Sequence, residues 1–120
     1  MNTQVRKYLI EVARKRKTCT YSEVNEACGL GLKWEGDHDS AEIGRVLGEI
    51  SEYEYNHNRP LISAIVFRKG TTEVGEGFYG LCEEIGLGTR TRLKKRLFAE
   101  AEAGRSHDFW NDNNNYLQFA

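Results

Sequence analysis

Residues 39–74 read DSAEIGRVLGEISEYEYNHNRPLISAIVFRKGTTEV, and this stretch decides the fold. In its first part, apolar residues recur at the spacing of one face of an α-helix: Ile43, Val46, Leu47, Ile50 and Tyr53. Pro60 ends any helix there, because proline has no N–H to donate and restricts the residue before it. The β-branched run 61–67 then predicts a strand, and 72–74 predicts a short antiparallel return after a turn.

Two further helices are predicted before this stretch. Val5, Leu9 and Val12 share one face of a helix that ends near residue 17. Thr20 and Glu23 have the spacing of a capping box, which opens a second, short helix. Gly29 ends that helix in a left-handed conformation, and the loop 29–38 follows, with Trp34 as its expected anchor. A second capping pattern, Asp39 to Glu42, opens the third helix.

The C-terminal part predicts more helix. One helix follows the Gly75–Gly77 turn and ends at Gly86, and another, capped by Thr91, ends at Gly104. The aromatic tail 109–119 is expected to dock on its own body or on a neighbour. The predicted fold class is therefore α+β, a winged-helix-like helical domain with a short antiparallel β-hairpin and extra C-terminal helices. It forms a single domain 1–120, made of a three-helix part (1–60), the hairpin (61–75) and the C-terminal helices with the aromatic tail (76–120).

Three helices followed by strand, turn and strand is the order of elements in a winged helix, a DNA-binding relative of the helix-turn-helix. Within residues 18–70, the segments Thr20-Tyr21-Ser22-Glu23-Val24 and Ile43-Gly44-Arg45-Val46-Leu47-Gly48 resemble the winged-helix domain of alkyltransferase-like DNA-repair proteins. The resemblance implies DNA binding, with Arg45 as the family's helix-borne arginine. No Pro-Cys-His-Arg segment follows the third helix, so the resemblance does not imply a reactive-cysteine activity.

Charge is segregated along the chain, although 17 basic and 18 acidic residues leave a formal net charge of only −1. The first 17 residues carry six Lys and Arg against Glu11, whereas residues 18–57 carry nine acids against Lys33 and Arg45. Such basic ends favour a polyanionic partner, although a charged helix face can also be merely solvated. The candidate nucleic-acid contacts are Arg6, Lys7, Arg14, Lys15, Lys17, Arg45, Arg68, Lys69, Arg92, Lys95 and Arg96.

A glycine pattern suggests a phosphate site. Residues 75–80, GEGFYG, match G-x-G-x-x-G between a predicted strand and a helix. A dinucleotide fold is not expected, because Glu76 places an acid in the turn and Lys95 stands where an acidic residue would be needed. The looser hypothesis is phosphate binding at the Gly75 and Gly77 amides with Arg59 or Lys69 nearby. The alternatives are a tight turn for the glycines and pairing of Arg59 with Glu52 or Glu54.

The rival function is protein interaction. An acidic helix 42–54 would meet a basic partner through Glu49 and Glu52, and Trp110 would contribute to a homodimer contact. Catalysis is not expected, because no convergent acid–base or nucleophile set is present, and we predict no cofactor or metal. Three cysteines without CxxC spacing predict free thiols and a cytoplasmic protein. No apolar run is long enough for a membrane span. Small size suggests a phage or mobile-element setting.

Overall fold

The computed structural model describes residues 1–120, and helices supply nearly all of its core. Helix α1, Thr3–Arg14, starts at Asn2, whose side chain accepts a 2.9 Å hydrogen bond from the Val5 N–H. Helix α2, Tyr21–Cys28, has the predicted capping box and the predicted left-handed Gly29 at its end. Both local predictions are confirmed, since caps are formed between residues that are neighbours in sequence.

Helix α3, Asp37–Asn56, is the longest element, at 20 residues. Its predicted apolar face is confirmed for Ile43, Val46, Leu47 and Ile50, which are all buried. It is wrong for Tyr53, which is 36% exposed, whereas the neighbouring Glu54 is buried. The helix begins three residues earlier than predicted, after Gly36, which has a left-handed φ of 74°. Asp39 therefore lies in the first turn of α3 rather than at its N-cap.

The predicted antiparallel hairpin, and with it the α+β winged-helix-like fold class, is wrong. Strand β1, Cys19–Thr20, pairs in parallel with strand β2, Val66–Phe67, and these two strands form the whole sheet. The run before β2 is a 3-10 helix, Ile62–Ile65, and residues 72–74 form no strand. The 3-10 helix packs against α1, α3 and the C-terminal helix α6, Phe98–Asn111. The β-branched run is therefore buried on three sides, by α1, α3 and α6, which a two-stranded hairpin would not achieve. The fold is predominantly α-helical.

The C-terminal part contains helix α4, Glu76–Glu84, helix α5, Arg90–Lys95, and helix α7, Asn113–Phe119, besides α6. The single helix predicted from Thr91 to Gly104 is thus two helices. Thr89, not Thr91, caps α5, and Leu97, with a φ of 54°, separates α5 from α6. Gly104 lies inside α6 rather than at its end.

The aromatic tail docks on its own body through α1. The Arg6 Nη2 donates to the Phe119 carbonyl at 2.8 Å, and the Tyr116 hydroxyl donates to Glu11. The Arg14 guanidinium lies 4.0 Å from the centre of the Tyr116 ring. Helix α7 buries no residue completely, but its Tyr116 and Phe119 are partly buried and pack against the core, in addition to these polar and cation–π contacts. None of the helices combines the length and the apolar character needed to cross a membrane.

Candidate functional site

A cleft of about 440 Å³ opens between α3 and α4, and we call it the α3–α4 cleft. Its apolar surface consists of Ile43 and Leu47 from α3 and Phe78 and Leu81 from α4. Side-chain hydroxyls, two cations and one indole ring also line it: Tyr21, Ser22, Ser40, Ser63, Arg68, Lys69 and Trp34. The volume lies in the range of about 300–1,000 Å³ that is usual for small-molecule sites. Apolar walls with a few polar groups are also typical of such sites.

Tyr21 and Gly75 form one corner of this cleft. The Gly75 N–H donates to the Tyr21 hydroxyl at 2.7 Å. A Cβ at position 75 would overlap that hydroxyl oxygen, so only glycine permits this approach. Burial raises the pKa of Tyr21 above its usual value. The phenol is therefore protonated at neutral pH, and since its oxygen accepts from Gly75, its own proton can be donated to a ligand.

Ser63 brings a second hydroxyl to the cleft from the 3-10 helix. Its Oγ lies 2.6 Å from the Ser51 Oγ, and the Ser51 Oγ also accepts a 3.0 Å hydrogen bond from the Ser63 N–H. If Ser51 donates, Ser63 can donate into the cleft, and if Ser63 donates, its lone pairs can accept there. The pair can thus adjust to either kind of ligand group.

The charged side chains that line the cleft carry a net positive charge. The Arg68 Nη2 pairs with Glu73 at 2.6 Å, whereas Lys69 is exposed and forms no ion pair. Glu76, the acid in the glycine pattern, is paired with Arg90 at 2.8 Å and with Lys94 at 3.3 Å. The charged residues of the lining are thus Arg68, Lys69 and Glu76, and Arg90 and Lys94 on α5 compensate the negative charge of Glu76 from outside the lining.

The N-terminus of α4 adds backbone donors. Gly75 is the N-cap of α4 and provides no side-chain hydrogen bond to the first turn. Gly75, Glu76 and Gly77 all line the cleft. The Gly75 N–H already donates to the Tyr21 hydroxyl, so the predicted phosphate contact at this amide is not available, and the first-turn N–H groups of Glu76 and Gly77 remain. Unpaired N–H groups at a helix start favour anions. Of the predicted site residues, the structure brings Arg68, Lys69, Gly75 and Gly77 together.

The other predicted arginines are used elsewhere. Arg59 is 8% exposed and pairs with Glu54 in the interior, so it does not line the cleft as a phosphate ligand. Arg6 also bonds to Glu54, and Arg14 donates to the Trp110 carbonyl. Arg45 lies between Glu42 and Glu49 on the exposed face of α3, at 2.6 Å and 2.5 Å. Each of these four arginines is bonded to a carboxylate or a carbonyl outside the cleft, so none of them belongs to the candidate site.

The remaining predicted basic residues are exposed but lie outside the cleft lining. They are Lys7, Lys15 and Lys17 on and after α1, and Arg92, Lys95 and Arg96 on and after α5. Among the predicted protein contacts, Glu49 pairs with Arg45, and Glu52 is exposed without an ion pair. Trp110 has no exposed surface and belongs to the core, so it cannot contribute to a homodimer contact in this fold.

Trp34 is the cleft residue that sequence reasoning misplaced. We expected a buried loop anchor, but its side chain is 38% exposed and lines the cleft. The anchors of its loop are polar: Asn25 bonds both backbone groups of Leu32, and the Asp39 Oδ2 accepts from the Lys33 and Trp34 N–H groups. Asn and Asp near a glycine-bearing loop are the signal that could have identified them.

The chain matches no protein-family model, no characterised protein and no solved structure at a significant level.

Proposed function

We propose that this chain is a non-enzymatic binding module that recognises a phosphate-bearing nucleotide or nucleic acid in the α3–α4 cleft. The single observation that carries the proposal is the position of Lys69, an unpaired cation, beside an apolar cleft. Arg68 and the uncapped start of α4 border the same cleft and add donors for a phosphate group. The apolar walls suit the uncharged part of such a ligand.

Two further observations support binding rather than reaction. Ser63, the buried hydroxyl in the cleft, is hydrogen-bonded to another hydroxyl and not to a base that could activate it. Glu76 is engaged by Arg90 and Lys94, which favours a structural role for this carboxylate. Three free, buried thiols support the proposed cytoplasmic location.

A salt-dependent titration tests this function. A labelled single-stranded decanucleotide is titrated by fluorescence anisotropy between 50 mM and 200 mM salt, with the double variant Arg68→Ala plus Lys69→Ala beside the unchanged protein. Each lost phosphate contact is expected to weaken binding and to reduce the slope of log K against log salt by about 0.7.

The matched control is Lys7→Ala plus Lys15→Ala, which removes two exposed cations from the N-terminal segment, away from the cleft lining. We expect this control to retain most of the affinity. If the control loses as much affinity as the cleft variant, binding follows general positive charge and not the cleft. Binding that does not change with salt at micromolar protein excludes the proposed function.

A further inference from the structure

Trp34 is the one large aromatic side chain that is both exposed and part of the α3–α4 cleft. The other tryptophan, Trp110, is completely buried in the core. An indole ring left 38% exposed beside an apolar cleft keeps a large flat surface in contact with water. A planar ligand group that lay against this ring would remove that surface from water.

The backbone around Trp34 is held in an uncommon conformation. Its φ is 60°, in the left-handed region that residues with a Cβ seldom adopt. The Asp39 carboxylate fixes this conformation, accepting hydrogen bonds from the Lys33 N–H at 2.8 Å and from the Trp34 N–H at 2.9 Å. Asn25 on α2 holds the preceding residue, Leu32, through two hydrogen bonds. Side chains from two helices therefore stabilise a strained backbone that places the indole ring at the cleft, and such strain is typical of ligand-binding segments.

We propose that Trp34 is the stacking wall of the α3–α4 cleft and that the ligand is an unpaired nucleobase joined to a phosphate. This inference rests on the proposed function and adds the part of the ligand that fills the apolar volume. The base would lie against the indole, the phosphate would be bound by Arg68 and Lys69, and the Tyr21 and Ser63 hydroxyls would meet polar groups at the edge of the base. Stacking on an aromatic side chain suits every base, so it provides affinity without sequence preference.

The exposed part of α3 disfavours a duplex as the partner. Glu42 and Glu49 enclose Arg45 on that face, so the helix offers acid and not free positive charge to a phosphate backbone. In a duplex, moreover, the faces of the bases are stacked on each other and closed to an indole ring. The same base-plus-phosphate chemistry can come from a free nucleotide or from a single strand, and the experiment separates these sources.

Tryptophan fluorescence gives a direct readout, because Trp110 is buried and contributes a constant background. The probes are AMP, CMP, ribose 5-phosphate, a mixed single-stranded decanucleotide and a closed hairpin duplex. We expect AMP, CMP or the decanucleotide to quench Trp34, and the hairpin duplex to quench it far less. If AMP or CMP binds as tightly as the decanucleotide, the ligand is a free nucleotide. If only the decanucleotide binds, the ligand is a single strand.

The variants are Trp34→Ala and Trp34→Phe, with anisotropy as the second readout. Loss of the stacking wall should weaken binding of the best base-containing probe at least about fivefold in Trp34→Ala, while Trp34→Phe, which keeps an aromatic face, should stay within about threefold. Thermal melting sets the assay temperature at which both variants are folded, because Trp34 is only 38% exposed and its truncation removes buried apolar surface. Equal affinity of Trp34→Ala and the unchanged protein overturns this inference and leaves the proposed function standing. Equal affinity for ribose 5-phosphate and AMP also overturns the inference alone, whereas failure of every phosphate-bearing probe to bind the unchanged protein overturns both.

Discussion

Arg59 donates two hydrogen bonds to the Glu54 carboxylate, Nε to Oε1 at 3.2 Å and Nη2 to Oε2 at 2.8 Å. Glu54 is fully buried and Arg59 almost so, and Arg6 contacts the same carboxylate at 3.3 Å. One buried carboxylate thus accepts hydrogen bonds from two arginines. Through Arg6 the cluster extends to the Phe119 carbonyl, so it joins α1, α3 and α7.

Removing that charge should be costly for stability. In Glu54→Gln both arginines lose their ionic partner while they stay buried, and we expect the free energy of unfolding to fall by about 3–5 kcal/mol. Chemical denaturation monitored by circular dichroism measures the change. Glu52→Gln is the matched control, because Glu52 lies on the same helix but is exposed without an ion pair, and its effect should stay within about 0.5 kcal/mol. Equal effects of the two variants would contradict a stabilising role for the cluster.

Glu76 should moderate binding in the cleft. Its carboxylate neutralises Arg90 and Lys94, so Glu76→Gln removes one negative charge and frees two positive ones. We expect the affinity for the single-stranded decanucleotide to rise about two- to fivefold, the effect of a surface charge interaction of under about 1 kcal/mol. Anisotropy at 50 mM salt measures this. The gain should shrink at higher salt, since exposed charges are screened, and a loss of affinity would show that Glu76 itself contacts the ligand.

Two glycines at the start of α4 should respond differently to the same substitution. A Cβ at position 75 would overlap the Tyr21 hydroxyl, whereas one at position 77 would lie 3.9 Å from the Gly44 Cα, an ordinary contact. Gly75→Ala should therefore lower stability by about 1–3 kcal/mol through overpacking. Gly77→Ala should be neutral or stabilising by up to about 1 kcal/mol, because alanine favours the helix. Thermal melting compares the two. Equal melting temperatures would mean that Tyr21 can move aside freely.

Sequence patterns predicted those parts of the fold in which the decisive partners are close in sequence. The Thr20 capping box, Gly29 and the apolar face of α3 depend on residues three or four positions apart. The pairing of Cys19 with Val66 joins residues far apart in sequence, and no local pattern selects that partner. The run 61–67 had strand composition, but burial from three sides made most of it a 3-10 helix. Tertiary packing thus overrode β propensity.

The candidate site was predictable in part for the same reason. Gly75, Gly77, Arg68 and Lys69 fall within ten residues of one another; the glycine pattern indicated Gly75 and Gly77 with Lys69 nearby, and the basic residues of the turn indicated Arg68. Tyr21, Trp34 and Ser63 reach the cleft from three other segments. The basic residues of α1 misled the sequence analysis because charge alone does not reveal a buried acceptor: Arg6 and Arg14 are occupied by Glu54 and by the Trp110 carbonyl.

Asp39 should make the Trp34 loop sensitive to acid. Hydrogen bonds from the Lys33 and Trp34 amides, with a smaller effect of His38, lower the pKa of Asp39 below its usual 3.8. A lowered pKa in the folded state adds stability above pH 3.8, and this stability is lost as the pH falls through the lower folded value. Acrylamide quenching of Trp34 should therefore be constant from pH 7 to pH 4 and increase only below that. In Asp39→Ala the quenching should be high at every pH, and quenching of the unchanged protein that already rises above pH 4 would contradict this role of Asp39.

The three cysteines should be unreactive in the folded protein, and their raised pKa values should make the protein less stable at alkaline pH. Burial raises the pKa of Cys19 and of Cys82 to about 12, and it also raises that of Cys28. At pH 8 these thiols should react with a disulfide reagent far more slowly than in denaturant, where all three should react at once. Above pH 9, the usual thiol value, the unfolded chain loses the thiol protons of Cys19 and Cys82, while the folded chain keeps these two protons up to about pH 12. Unfolding then releases protons, so stability should fall with rising pH across that interval. Denaturant midpoints at pH 8, 9, 10 and 11 measure the slope, and Cys82→Ala should reduce it; rapid labelling of the folded protein at pH 8 would contradict the burial of the thiols.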